Sequence, residues 1–88
     1  MSDFRDFVAL IHATRDKELL EDLLVGITTP KEREEFVTRI EIVRLLLQGV
    51  PQRTVAEKLG VGIATVTRAS KELAQDRFKV LRIENEKG

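Results

Sequence analysis

Small and hydroxyl-bearing side chains follow two glycines in the stretch GVGIATVTRASKEL, Gly60 to Leu73. A helix that needed only stability would favour Leu, Glu, Lys and Ala. At about 100° per residue, one side of such a helix carries Ala64, Thr67, Arg68 and Lys71. The other side carries Val66, Ala69, Ser70 and Leu73. The first side has a small side chain that permits close approach to another molecule, a hydroxyl that can form hydrogen bonds, and two positive charges. These are the properties needed to contact the bases and phosphates of DNA.

The residues around this stretch predict a helix-turn-helix over residues 52–73. Gln52 to Leu59 fits a short helix, Gly60 and Gly62 fit the turn, and Ile63 to Leu73 fits the second helix. The residues that we expect to contact DNA are Gln52, Arg53, Lys58, Ile63, Ala64, Thr65, Thr67 and Lys71.

The distribution of charge matters more than the formal net charge, which is zero. Residues 1–36 hold nine acidic and five basic side chains, whereas residues 50–71 hold four basic and one acidic. The basic excess therefore lies in the predicted helix-turn-helix. The same pattern also fits a helical hairpin with a solvated basic face, so an all-helical dimeric interaction module without DNA binding is an alternative.

Apolar residues at helical spacing predict two helices on either side of a polar break at residues 14–16, the second ending at Gly26. Thr29, Pro30 and Glu32 provide the N-cap, the first residue and the capping-box partner of a third helix. We expect that helix to be the longest and to run to Gly49. Its apolar residues are Phe36, Val37, Ile40, Val43, Leu46 and Leu47.

The segment from Phe78 to Ile83 fits a helix better than a strand, and the charged residues 84–88 are expected to fray. The prediction is thus an all-α fold in one domain over residues 1–88.

Several classes of function have no support in the composition. The chain has no cysteine and a single histidine, His12, so we expect neither disulfides nor a metal site. No arrangement of a nucleophile, base and acid is visible, and we expect no enzyme activity. No apolar run approaches the roughly 20 residues of a membrane span, and the first residues do not form a signal peptide, so we expect a cytoplasmic protein.

The ordered motifs of residues 20–73 resemble those of the bacterial trp repressor family. They include TPKERE at residues 29–34, TR at 38–39, QR at 52–53 and LGVGIATVTR at 59–68. The resemblance implies an intertwined all-helical homodimer of about six helices per chain. It also implies that two recognition helices enter successive major grooves of palindromic double-stranded operator DNA. Ala56 stands where the family has a lysine near phosphate, which would alter the footprint on DNA.

The resemblance further implies a small-molecule corepressor, L-tryptophan or a related indole or amino acid. Arg39 and Arg68 would flank its ring, and Arg68 and Thr29 would reach its carboxylate. From the residues alone, each arginine has a different explanation. Arg39 would pair with Glu35 and Arg68 with Glu72, because residues four apart share a helix face.

Four expected effector-site positions depart from the family pattern. Gly26 and Thr28 stand where leucines are usual, Ala69 where glycine is usual, and Glu72 where a serine helps to hold the ligand amino group. Glu72 could pair with an ammonium group, or neutralise Arg68 and repel a carboxylate. A regulator with a different effector, or with none, is therefore an open alternative.

Overall fold

Six α-helices form the ordered framework of the protein, whose computed structural model describes residues 3–88. The helices are α1 (Phe4–Ala13), α2 (Lys17–Ile27), α3 (Pro30–Leu47), α4 (Gln52–Leu59), α5 (Ile63–Ala74) and α6 (Lys79–Lys87). Within this described range there is no β-strand, which confirms the all-α prediction and the number of helices. None of the six helices is both long and apolar enough to cross a bilayer.

The chain divides into two compact units, one ending at Arg33 and the other comprising Glu34–Gly88. In the first unit, neither α1 nor α2 has a buried residue. The side chain of Phe4 is 76% exposed, and Leu10, Leu19 and Ile27 are also exposed. The apolar faces of these two helices are therefore available for contact with further apolar surface.

Side-chain caps begin the first three helices. The Asp3 and Asp6 side chains form a capping box at α1, and the Asp16 carboxylate accepts from two backbone N–H groups of α2. At α3 the N–H of Thr29 donates to Glu32 Oε1 at 2.8 Å, and the N–H of Glu32 donates to Thr29 Oγ1 at 3.1 Å. The predicted capping box of α3 is confirmed.

Helix α2 extends through Ile27, so the prediction that Gly26 stops it is wrong. Gly26 does not adopt the positive φ with which glycine commonly ends a helix. Instead, side chains donate hydrogen bonds to the backbone carbonyls at the C-terminal end of α2. The Thr28 hydroxyl donates to the carbonyl of Leu24, and Arg33 Nη1 donates to the carbonyl of Val25 at 3.2 Å and to that of Thr28 at 2.9 Å.

The second unit is built on the C-terminal half of α3, where adjacent residues face two apolar clusters. The first cluster consists of Ile42, Leu45, Val55, Ala56 and Val66. The second consists of Val43, Leu73 and Leu81. Because Ile42 and Val43 point to different clusters, one stretch of α3 holds α4, α5 and α6 together.

The N-terminal half of α3 does not share in this core. Val37 is 70% exposed, and Phe36 is also exposed. The two clusters use α3 residues from Ile40 onward, so these two apolar side chains contribute to neither cluster.

Two glycines close the ends of α3 and α4 by adopting left-handed backbone conformations. Gly49 has φ 87°, and the N–H of Val50 donates to the carbonyl of Leu45 at 3.1 Å. Gly60 has φ 66°, and the N–H of Val61 donates to the carbonyl of Ala56 at 3.0 Å. Both follow the Schellman pattern, so the chain reverses sharply before the next helix.

Helix α6 continues to Lys87, so the expected fraying from residue 84 is wrong. Arg44 on α3 donates from Nε and Nη2 to the two carboxylate oxygens of Glu84, at 2.8 and 2.9 Å. Asn85 Nδ2 donates to the carbonyl of Leu47 at 3.3 Å. These contacts fix the charged end of α6 to α3 while Leu81 fills the second cluster.

The Arg44–Glu84 pair makes the attachment of α6 dependent on pH. Hydrogen bonds from Arg44 lower the pKa of the Glu84 carboxyl below its ordinary value. The pair therefore contributes stability above the unfolded-state pKa of Glu84 and loses it as pH falls through the lower folded-state pKa. We expect lower protection of the α6 amides against hydrogen exchange in acid or in Glu84→Gln, measured by NMR and corrected for the intrinsic exchange rate at each pH. Glu86→Gln on the same helix is the control; equal exchange in both variants would contradict the role of the pair.

Candidate nucleic-acid interface and adjoining cavity

Helix α5 has a buried side that fixes which of its residues face solvent. Val66 is fully buried with Val55 of α4 and Ile42 of α3, and Leu73 is buried with Val43 of α3. Val66 and Leu73 are seven residues apart, which is close to two full helical turns. Their burial therefore turns the opposite side of α5 outward.

The outward side of α5 is the one that the sequence predicted. Ile63, Ala64, Thr65, Arg68 and Lys71 are exposed there, and Thr67 is half-buried. On α4, Arg53 and Lys58 are exposed and Gln52 is half-buried. The eight residues predicted to contact DNA thus lie on the two helices of one helix-turn-helix, with small side chains at the start of α5 and basic side chains on both helices.

A hydrogen bond joins α4 to α5 inside this surface. The hydroxyl of Thr67 donates to the side-chain oxygen of Gln52 at 2.9 Å. Gln52 is the first residue of α4, and Thr67 lies in the middle of α5. The bond leaves the amide N–H groups of Gln52 and the lone pairs of the Thr67 oxygen free for another molecule.

The N-termini of α4 and α5 lack the side-chain caps that begin α1, α2 and α3. Pro51 and Gly62 occupy their N-cap positions and make no side-chain capping bond. The first N–H groups of these helices therefore have no partner within their own helix, and the helix dipole adds partial positive charge there. Such ends bind anions, including phosphate, when other groups hold the anion in place.

A cavity of about 300 Å³ opens beside α5. It is lined by Arg39, Thr65, Arg68, Ala69, Glu72 and Phe78. Four of the residues predicted to bind an effector therefore meet at one cavity, and Thr65, predicted to contact DNA, lies on its wall. The cavity joins α3 and α5 to the chain segment that begins α6.

The two arginines that line the cavity differ in their ion pairs. Arg39 Nη2 lies 3.6 Å from Glu35 Oε2, as expected for residues four apart. The expected pair between Arg68 and Glu72 is absent within residues 3–88. Glu72 Oε2 instead lies 3.7 Å from Arg77 Nε. The guanidinium of Arg68 is therefore left without an ion pair in this part of the chain.

The other three predicted effector residues belong to the first unit. Gly26 is exposed inside α2, and a Cβ added to it would meet no atom within 4 Å. Thr28 donates to the carbonyl of Leu24 and accepts from Arg33 at 3.1 Å. Thr29 accepts the capping bond of α3 through its hydroxyl oxygen, so its hydroxyl proton can still be donated.

Sequence reasoning missed Phe78 as a wall of the cavity. Phe78 has φ 62° and precedes α6, and its ring also packs against the second cluster. A non-glycine residue rarely adopts this conformation, and the amino-acid sequence carries no signal for it. Ala56 is only 8% exposed and packs in the first cluster, so this position serves the core rather than an exposed contact.

Two short helices joined by a left-handed glycine turn, with the second helix presenting a free face, define a helix-turn-helix protein. The family model described as Trp repressor protein matches residues 2–83. The chain therefore belongs to the Trp repressor protein family, and the predicted resemblance is confirmed.

Similar proteins in Vibrio species carry the name Trp operon repressor homolog. The one from Vibrio parahaemolyticus is 41% identical over 86 residues, covering 90% of this chain and 84% of the relative. The one from Vibrio campbellii is 44% identical over 86 residues, covering 90% and 86%. The one from Vibrio cholerae is 45% identical over 73 residues, covering 82% and 71%. These similarities place the chain among transcriptional regulators.

We expect the hydrogen bond between Thr67 and Gln52 to make a measurable contribution to the stability of the folded protein. Thr67→Val preserves the side-chain shape but removes the donor, and we expect it to lower the free energy of unfolding by about 1 kcal/mol. Thr54→Val is the matched control because Thr54 is exposed on α4. Urea denaturation of both variants tests the difference, and equal midpoints would show that the bond does not stabilise the α4–α5 pair.

Proposed function

We propose that this chain is a sequence-specific DNA-binding repressor that acts as a homodimer and responds to a small aromatic amino acid. The observation that carries the proposal is the outward face of α5. Burial of Val66 and Leu73 leaves small side chains at the start of that helix exposed, together with its basic residues. The proposal assigns the chain no catalytic step, and places it in the bacterial cytoplasm, where operator DNA is found.

In the proposed interface, different residues provide specificity for a DNA sequence and affinity for the DNA backbone. Ile63, Ala64, Thr65 and Thr67 contact base edges or nearby phosphates. The small side chains of Ala64 and Thr65 let the start of the helix approach the bases, and Ile63 offers an exposed apolar surface. Arg53, Lys58 and Lys71 neutralise phosphate charge, with Gln52 beside them. The uncapped starts of α4 and α5 supply further N–H donors to the DNA backbone.

The exposed apolar residues of a single chain support the homodimer. Phe4, Leu19, Ile27, Phe36 and Val37 are all large and exposed. A second copy that covered these residues would supply the core that α1 and α2 lack, which also supports one intertwined domain over residues 1–88. Dimeric helix-turn-helix repressors, the trp repressor being itself a standard example, place recognition helices in successive major grooves about 34 Å apart.

The cavity beside α5 is the proposed effector site. Arg39 and Arg68 offer flat guanidinium groups to an aromatic ring, and Arg68 has no competing ion pair among the described residues. Thr29, Thr28 and Gly26 belong to the first unit, and their contribution to effector binding stays a prediction from the family resemblance. The printed name of the Vibrio relatives, Trp operon repressor homolog, favours L-tryptophan as the ligand.

Two substitutions on the free face of α5 test DNA binding. Ala64→Glu places a carboxylate against the DNA, and we expect nearly complete loss of binding to a palindromic operator. Lys71→Ala is expected to weaken binding to all sequences alike and to reduce the slope of log affinity against log salt by about one. Fluorescence anisotropy across a salt series measures both effects.

Ala74→Glu is the control for Ala64→Glu, because Ala74 is exposed at the other end of α5. Retained operator binding by Ala64→Glu would contradict the proposed docking. Sedimentation with and without operator distinguishes the remaining alternative: a dimer that never sediments with DNA is an interaction module.

Effector binding can be observed directly because the chain contains no Trp and no Tyr. The indole fluorescence of added L-tryptophan therefore reports on the ligand alone. We expect saturable binding that tightens operator affinity, and a loss of at least about tenfold in ligand affinity for Arg68→Leu, which removes a charged hydrogen-bond donor. Arg15→Leu, outside the proposed site, is the control. No response to tryptophan or its indole analogues would indicate a regulator without this effector.

A further inference from the structure

The cavity beside α5 has an apolar wall as well as charged ones. Within the described chain six residues line it, and of these Ala69 and Phe78 have wholly apolar side chains. Both pack against the second cluster, so they form the side of the cavity that lies against the core of the second unit. The ring of Phe78 supplies most of this wall, because Ala69 carries only a methyl group.

An unusual turn of the chain places Phe78 at the cavity. Asp76 has φ 65° and Phe78 has φ 62°, so two residues out of three adopt the left-handed conformation without being glycine. This conformation costs free energy for residues other than glycine, and it persists only where neighbouring contacts compensate. Such residues are concentrated at active sites and ligand-binding sites, so the turn itself points to a function for the ring that it positions.

Hydrogen bonds on both sides of the turn hold it in place. At the end of α5, the N–H of Asp76 donates to the carbonyl of Leu73 at 3.0 Å, and Arg82 Nη2 donates to the same carbonyl at 2.7 Å. At the start of α6, the N–H groups of Leu81 and Arg82 donate to the carbonyl of Phe78 at 3.0 and 3.1 Å. The backbone that carries the ring is therefore fixed to both helices.

A fixed ring discriminates between ligands by the size of the group that they place against it. The Phe78 side chain is half-buried and packs against the second cluster, so it cannot move aside without disturbing Leu73 or Leu81. In a packed apolar pocket, one additional methylene changes affinity by about 10–200-fold. An aromatic ligand also gains a favourable contact between its own ring and that of Phe78.

The remaining lining residues direct the apolar part of a ligand towards Phe78. They consist of three charged side chains and Thr65, which bears a hydroxyl. A polar group placed against Ala69 and Phe78 would lose hydrogen bonds to water and gain none from either side chain. The flat apolar part of an amino acid therefore fits against this wall, while its polar groups remain near the charged side chains.

We propose that Phe78 is a specificity-determining residue of the effector site. Its ring contacts the aromatic ring of the effector and limits the size of the ring that the cavity admits. This inference rests on the proposed effector function. A substituent on the edge of the ligand ring that faces Phe78 meets the wall, whereas a substituent on another edge does not.

Ring-methylated ligands test the proposed wall. L-tryptophan and its derivatives methylated at single carbon atoms of the six-membered ring all carry an indole, whose fluorescence is observed against a chain without Trp or Tyr. We expect the wild-type protein to bind at least one derivative about tenfold more weakly than L-tryptophan. Phe78→Ala and Phe78→Leu should each reduce that discrimination about tenfold at the same ring position, and leave the other positions unchanged.

Val80→Ala is the control for both variants, because Val80 is 73% exposed on α6 and is not one of the six described residues that line the cavity. The ratio of two affinities is informative because a general loss of structure would lower both affinities together. Phe78→Leu keeps an apolar side chain against the second cluster, and far-ultraviolet circular dichroism confirms that each variant is folded.

NMR of the wild-type protein tests the contact without any substitution. The chain contains four Phe, no Trp and no Tyr, so its aromatic ring protons are few enough to assign individually. With L-tryptophan bound, we expect nuclear Overhauser effects between the ring protons of Phe78 and those of the indole.

Two results overturn the inference and leave the effector site standing. One is the absence of these Overhauser effects while L-tryptophan is bound. The other is a set of affinity ratios that is the same in the wild-type protein and in both Phe78 variants. If the wild-type protein binds operator DNA but none of the indole ligands, the proposed effector function fails and this inference fails with it.

Discussion

The burial of one side of α5 against α3 is the interaction on which the rest of the second unit depends. Ile42 and Val43 are adjacent on α3, and they receive Val66 and Leu73 respectively in two separate clusters. Two anchor points two turns apart fix the rotation of α5 about its own axis. The same contacts thus decide which residues face outward and where the cavity lies, so a packing constraint sets the geometry of both surfaces.

The helices and the helix-turn-helix could be predicted from the sequence because their signals are local. The capping residues Thr29 and Glu32 are three positions apart, and Gly60 marks a turn that side chains other than glycine rarely adopt. The free face of α5 followed from helical periodicity alone. These features depend on neighbours within a few residues, so no knowledge of the tertiary structure was needed.

The features that could not be predicted depend on distant residues or on unusual backbone conformations. The pair of Arg44 with Glu84 joins positions 40 residues apart, and it replaced the expected frayed end with an attached helix. Glu72 turned from Arg68 to Arg77 because Asp76 and Phe78 adopt left-handed conformations without being glycine. Helical spacing alone predicted that Glu72 pairs with Arg68, because it contains no information about the path of the chain beyond the last helical residue.

Helices α4 and α5 form the proposed DNA-binding surface, and their lack of side-chain caps affects the stability of that surface. A helix of eight residues is well below the length at which isolated helices persist in water, so α4 owes its order to Val55 and Ala56 in the first cluster. Its first turn gains nothing from a capping side chain. Local opening therefore costs less free energy at this end than in a capped helix of equal packing. An anion bound at this end would order the turn that it contacts. The conformational entropy lost in that ordering opposes binding and lowers the affinity for the anion.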